Sequence, residues 1–194
     1  MGPRVSITRK EILEAAIAIL EEEGWARVSA RSIAAKLGSS TMPIYSSMGS
    51  MEALQAEARS RALELLFERQ LGTRHEIEAL GMAIGYVLFA RDRPRLFTFL
   101  FTGNGSPLRS KEAVAIDGKT GIGTSPAIQS LMSQFSTERG RNDLVFNAWV
   151  YTHGLAILLA GGIVTMGDEE IAMRLSGAGE AFYLAAMSKE GGQP

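Results

Sequence analysis

Apolar residues recur at helical spacing along most of the chain. Ile12, Ala16, Ile19 and Leu20 fall on one face, Thr8 and Glu11 stand at the two ends of a capping box, and Gly24 ends the run, which predicts a helix over residues 8–23. In "VSARSIAAKLG", Ser29 is a cap, Ile33, Ala34 and Leu37 point inward, and Gly38 is a left-handed terminator, giving a helix of barely two turns. Ser40 caps a third short helix through about Ser47. Pro43 sits in its first turn, where a missing amide hydrogen is tolerated, and Ile44 is its one apolar anchor.

From Ser50 the pattern lengthens: Met51, Leu54, Ala58, Ala62, Leu65 and Leu66 mark a connecting helix of about five turns. A second long helix starts near His75 and breaks at Pro94, and "RLFTFLFTG" reads as a short aromatic-rich one. Residues 104–125, rich in glycine, read as a long loop with a turn of helix over 111–115. Helices over 126–135, 141–164 and 168–187 follow, then a loose tail, "KEGGQP". No alternating strand pattern is present, so the expected fold is all-α. A three-helix helix-turn-helix module over residues 1–50 precedes a larger helical domain over residues 51–190.

Two short helices joined by a glycine turn are the arrangement that lays the second helix in a major groove. Its polar stretch, "SSTMPIYSS", supplies side chains short enough to approach base edges and phosphates; a polar surface loop would account for the serines alone. Net charge is -1, so any attraction to polyanions must be local. Between Val28 and Met51 the charged residues are Arg31 and Lys36, with Arg27 just before; Arg4, Arg9 and Lys10 add to the same side. Arg9 and Lys10 stand at the positive end of a helix dipole, either as solvated surface charge or awaiting phosphate.

Composition closes other routes. The chain has no cysteine, which excludes disulfides and thiolate chemistry and fits a reducing, cytoplasmic setting. The opening "MGPRVSITRKEI" lacks the apolar core of a secretory signal, and the longest apolar run, Leu155 to Met166, is about half of the roughly 20 residues that span a bilayer, so no membrane partner is expected. "DGKTG" fails as a phosphate loop because Ala113 stands where a glycine should. The two imidazoles, His75 and His153, lie in different helices without metal-ligand spacing. Neither an enzyme nor a cofactor is expected.

The stretch from Ile12 to Leu54, with its Gly24-Trp25 break, Ser29 before "SIAAKLG", Ile44-Tyr45, Glu52 and Leu54, resembles the DNA-binding module of the TetR family of transcriptional regulators over roughly residues 8–54. The resemblance implies a homodimer on a palindromic double-stranded operator. It points to Arg31, Thr41, Met42, Pro43, Tyr45 and Ser47 as DNA-facing; Ser40, Ser46, Arg9 and Lys10 complete the expected set. Met48 departs from the usual aromatic, and Met51 from a lysine whose loss is expected to weaken the nonspecific component, leaving backbone amides near Ser50 to hold a phosphate.

In the larger domain Trp149, His153 and Gly154 resemble the Trp-His-Gly signature of one subgroup of these regulators. A small, mostly apolar effector is expected among Phe89, Phe97, Phe101, Met132, Phe135, Trp149 and His153, although aromatics at such positions fit a core equally well. The "NAWVYTHGLAILLAGG" helix is apolar nearly all round. Tyr151, Leu155, Leu158 and Gly162, with Leu175, Gly179, Phe182 and Ala186 of the last helix, are assigned to a partner subunit; an ordinary buried core gives the same pattern. The family expectation is repression relieved by ligand. The rival reading is a helical adaptor that binds a protein instead of DNA.

Overall fold

The structure is a computed structural model and describes residues 7–102 and 125–190. The expected contribution of Arg4, the 104–124 loop with its turn of helix, and the last four residues of the tail lie outside the described residues. Nine α-helices and one 3-10 turn are present among the described residues, and no strand.

The first helix, α1 (Arg9–Glu23), carries the expected capping box: Thr8 Oγ1 accepts from the Glu11 amide at 3.2 Å, and Glu11 Oε2 accepts from the Thr8 amide at 2.8 Å. That exchange holds the Glu11 carboxyl below its ordinary pKa. A 3-10 turn, Trp25–Arg27, leads to α2 (Ala30–Lys36), capped by Ser29 and Ser32. The exit from α2 is tight. Gly38 takes φ +62°, Ser39 N–H reaches Ala34 O at 2.9 Å and Gly38 N–H reaches Ala35 O at 3.3 Å, a left-handed stop that directs the chain into α3 (Met42–Met48). Ser40 is not the cap; Thr41 is, and its side chain makes no capping hydrogen bond.

α4 (Met51–Gly72) is the connecting helix, followed by α5 (Glu78–Asp92), α6 (Pro94–Phe101), α7 (Pro126–Met132), α8 (Glu138–Ala160) and α9 (Asp168–Glu190). α5 starts later than expected because His75 Nδ1 accepts from the Ile77 amide at 3.0 Å and holds the preceding turn open. α9 runs on into the predicted tail. α4, α8 and α9 pack around α5, and α6 is wedged between α1, α4 and α8.

One buried cluster runs from Ile12 and Ile44 through Leu54 and Ala58 to Leu96, Phe97, Ala156 and Leu175, so the small module shares its core with the rest of the chain. A second, smaller cluster joins Phe135, Leu144 and Ala186. By length and composition α8 meets the requirement for crossing a membrane, and only 28% of its apolar window is buried. Much of its apolar surface therefore faces outward.

Candidate functional site

α3 has two opposite faces. Ile44 and Met48, one turn apart, are 1% and 4% exposed and fix the helix to the core. Met48 is thus a second anchor, absent from the sequence reading, and fills an inward position. The outward face carries Met42 and Tyr45, 76% and 54% exposed, together with exposed Ser46; Ser40 is also exposed, while Thr41, Pro43 and Ser47 are half-buried beside them. Ser46 Oγ donates to Pro43 O at 3.1 Å within the helix.

The local charge is smaller than the sequence suggests. Arg9 does not stand free: its guanidinium pairs with Glu57 of α4 and donates to Ser47 O at the end of α3, bracing three helices. Arg27 pairs with Glu23 at 3.3 Å, and Lys36 with Glu22 at 3.0 Å. Lys10 and Arg31 are exposed and have no carboxylate partner among the described residues. Nor are the amides near Ser50 open to a phosphate. Ser50 Oγ accepts from Ala53 N–H at 3.1 Å, and the Glu52 carboxyl, held low in pKa by its own backbone amide and the Ser50 hydroxyl, already occupies that helix end.

The aromatic candidates divide. Phe97, Phe101, Trp149 and His153 come together: Trp149 stacks on His153 with ring centroids 5.5 Å apart, and Phe97 and Phe101 lie 5.8 and 5.3 Å from the same imidazole. Tyr86, which the sequence reading missed, completes the group, its Oη 2.8 Å from His153 Nδ1. Burial pushes the Tyr86 hydroxyl well above its ordinary pKa and lowers that of His153, so both are neutral near pH 7. Tyr86 Oη and His153 Nδ1 therefore share a hydrogen bond between two neutral groups, with the imidazole tautomer setting which of them donates. Phe135 does not join them; it packs on Leu144 and Ala186 in the second cluster, with Tyr183 at 5.4 Å. Phe89 is buried in the main core without a ring contact to the group, and half-buried Met132 closes α7.

No family model matches the chain. Over 98 residues it is 31% identical to an uncharacterized HTH-type transcriptional regulator, YobS, of Bacillus subtilis (strain 168). That match covers 48% of this chain and 51% of the relative, so it spans about half the length of each. The fold is similar to the crystal structure of a TetR-like transcriptional regulator from Rhodococcus sp. RHA1, with a TM-score of 0.53 and 17% identity over the whole of both chains. The chain has the TetR-like fold.

On this TetR-like framework the last two helices correct the assignment of a partner face. Leu155, Leu175 and Ala186 are already buried within one chain, and Tyr151 meets Phe182 with centroids 6.1 Å apart. The stripe of Leu175, Gly179, Phe182 and Ala186 therefore faces the chain's own interior. What faces outward on α8 is Phe146, Val150, Gly154, Ile157 and Leu158, and on α9 Met173, Gly177, Leu184 and Met187; of the expected partner residues on α8 this surface includes Leu158, with exposed Gly162 just past the helix end at φ +66°. A Cβ on Gly154 or Gly177 would meet nothing within 4 Å. The signal available in the sequence was the period of the bulky residues: Phe146, Val150 and Ile157 repeat at helical spacing on one side.

Proposed function

We propose that the protein is a ligand-responsive transcriptional regulator that reads a palindromic operator as a homodimer through α3 and represses until a small, mostly apolar effector releases it. The observation that carries the reading is α3 itself: a helix held by Ile44 and Met48 that presents Met42, Tyr45 and Ser46 to solvent after a glycine turn. Arg31 and Lys10 supply phosphate contacts, and the half-buried Thr41, Pro43 and Ser47 shape the approach. Arg9 serves as a brace rather than a contact.

The outward apolar face of α8 and α9 supports the homodimer. Two copies related by a two-fold axis would bury Val150, Ile157, Leu158 and Leu184 in a four-helix contact, with Gly154 and Gly177 allowing close approach. The effector site is the group of Tyr86, Phe97, Phe101, Trp149 and His153, where the ring faces are apolar and the His153–Tyr86 pair supplies the polar atoms. Phe97 and Phe101 lie on α6, whose other side holds the small module: Arg95 donates to the Glu21 and Glu22 carbonyls at 2.9 and 2.6 Å, and Phe99 stacks on Trp25. A ligand that displaces α6 thereby moves α1 and tilts α4, and the two recognition helices lose the spacing of about one DNA turn.

The test is selection of duplexes from a random pool by the purified protein at two salt concentrations. An enriched palindrome with half-sites one helical turn apart, lost on Tyr45→Ala, is the expected result. A second reading, an adaptor that binds a protein, draws on the pairing of Arg9, Arg27 and Lys36 with acids, which leaves an exposed Met42 and Tyr45 with little charge around them. No enrichment at low salt would favour it.

A further inference from the structure

A cleft of about 1200 Å³ opens where α1, α4 and α6 meet, and it shares no lining residue with the aromatic group around His153. It is lined by Leu20 and Trp25, by Arg59 and Leu63 of α4, and by Arg95 and Phe99 of α6. Trp25 stacks on Phe99 with ring centroids 4.8 Å apart.

Arg59 is the unusual element. Its guanidinium lies 4.5 Å from the Phe99 ring centroid, and Nη1 donates to the Phe99 and Leu100 carbonyls, the latter at 2.9 Å. Nε and Nη2 have no partner among the described residues, and no carboxylate reaches the group. Two positions on, Arg61 lies 3.6, 3.2 and 3.2 Å from Glu14, Glu64 and Glu68. Acids are therefore plentiful on this helix, and among the described residues none pairs with Arg59. Burial lowers its pKa, and what it meets against that cost is two carbonyls and the Phe99 ring rather than an anion. Among the described residues Arg95 likewise bonds only to carbonyls. The acid that lines the cleft, Glu52, is seven residues from Arg59, about 10 Å along the helix, and its carboxylate is turned onto Ser50. Two cations and one anion leave the cleft one positive charge.

The geometry points to a second ligand site in this cleft, for an amphipathic monocarboxylate whose headgroup takes the free edge of Arg59 and whose apolar body lies against the half-buried Trp25 and Leu63. A planar guanidinium with two unspent donors matches a carboxylate in charge and shape, and one positive charge suits a monoanion better than a phosphate dianion. The site touches α1, α4 and α6 at once, so an occupant would pin the small module against the larger domain. Binding itself does not depend on whether α3 reads DNA.

The experiment uses the full chain carrying Trp149→Phe, which leaves Trp25 as the reporter because the protein has two tryptophans. Its emission is titrated with decanoate and with decanol. A saturable change with decanoate, at least tenfold tighter than with decanol, is expected; Arg59→Gln should abolish the tenfold preference and Arg59→Lys should restore part of it. Ser60→Phe, at an exposed lining position, should block both ligands without touching the guanidinium, and serves if Arg59→Gln fails to fold. Equal response to the two ligands, or a decanoate affinity unmoved by Arg59→Gln or Ser60→Phe, would overturn the assignment.

Discussion

A single step along α3 exchanges core for solvent, and substitutions there should separate folding from recognition. Ile44 is nearly inaccessible, so Ile44→Ala removes a buried side chain and should cost about 2–5 kcal/mol in urea unfolding. Tyr45 is half in solvent, and Tyr45→Ala should leave stability within about 0.5 kcal/mol while weakening DNA binding at least tenfold. Equal stability losses in the two variants would mean that α3 presents no free face. Arg31, exposed and without a carboxylate partner, should contribute a phosphate contact, so Arg31→Ala should reduce the salt slope by roughly one per protomer; an unchanged slope would remove it from the interface. His153 makes a different prediction. Its folded pKa lies below the ordinary 6.5 because burial disfavours the imidazolium. Above 6.5 neither state is protonated and the group adds no pH dependence. As pH falls below 6.5 the unfolded chain takes up the proton first, so stability declines until the lowered folded value is passed. His153→Gln should flatten that decline, read from urea midpoints between pH 7 and pH 5; the carboxyls held low at Glu11 and Glu52 act in a more acidic window.

Among the elements, the contact between α4 and α5 is the tightest one that rests on glycine. A Cβ on Gly85 would fall 2.7 Å from Gln70 Cα and 2.8 Å from Arg69 O, both backbone atoms that cannot swing away. Gly85→Ala should therefore destabilise the fold by about 1–3 kcal/mol in spite of alanine's better helix propensity, and a gain in thermal midpoint would show that the helices can separate freely. This close approach also marks the limit of what the chain announces by itself. The capping box at Thr8 and Glu11, the Ser29 cap and the Gly38 stop depend on neighbours within five residues, and all were legible. Arg9 bonds a carboxylate 48 residues away, and Tyr86 a histidine 67 residues away; neither pairing leaves a periodic trace. On α8 the sequence is apolar on nearly every side, so it has an amplitude but no phase. The choice between the inner stripe of Leu155 and Leu159 and the outer one of Val150 and Ile157 is made by α5 and α9 packing on the former.

For the whole molecule, the proposed homodimer rests on that outer stripe. Phe146, Val150, Ile157 and Leu158 on α8, with Met173 and Leu184 on α9, are large apolar side chains exposed on two helices that pack together. A two-fold contact would cover them and would set the distance between the two α3 helices, so dimerisation and operator reading are one property in the proposed regulator. Replacing Val150 and Leu184 together by glutamate places two charges per chain at the centre of that contact while leaving the interior of the monomer untouched. Sedimentation should then give a monomer with unchanged helical content. Affinity for the full palindrome should fall to that for one half-site, a loss of at least a hundredfold if each half-site is engaged through the linked partner. A monomer that kept full-palindrome affinity would separate DNA reading from the α8–α9 face. A double variant that stayed dimeric would move the partner contact elsewhere and leave the apolar surface of α8 to some other apolar environment, for which its length and composition are also sufficient.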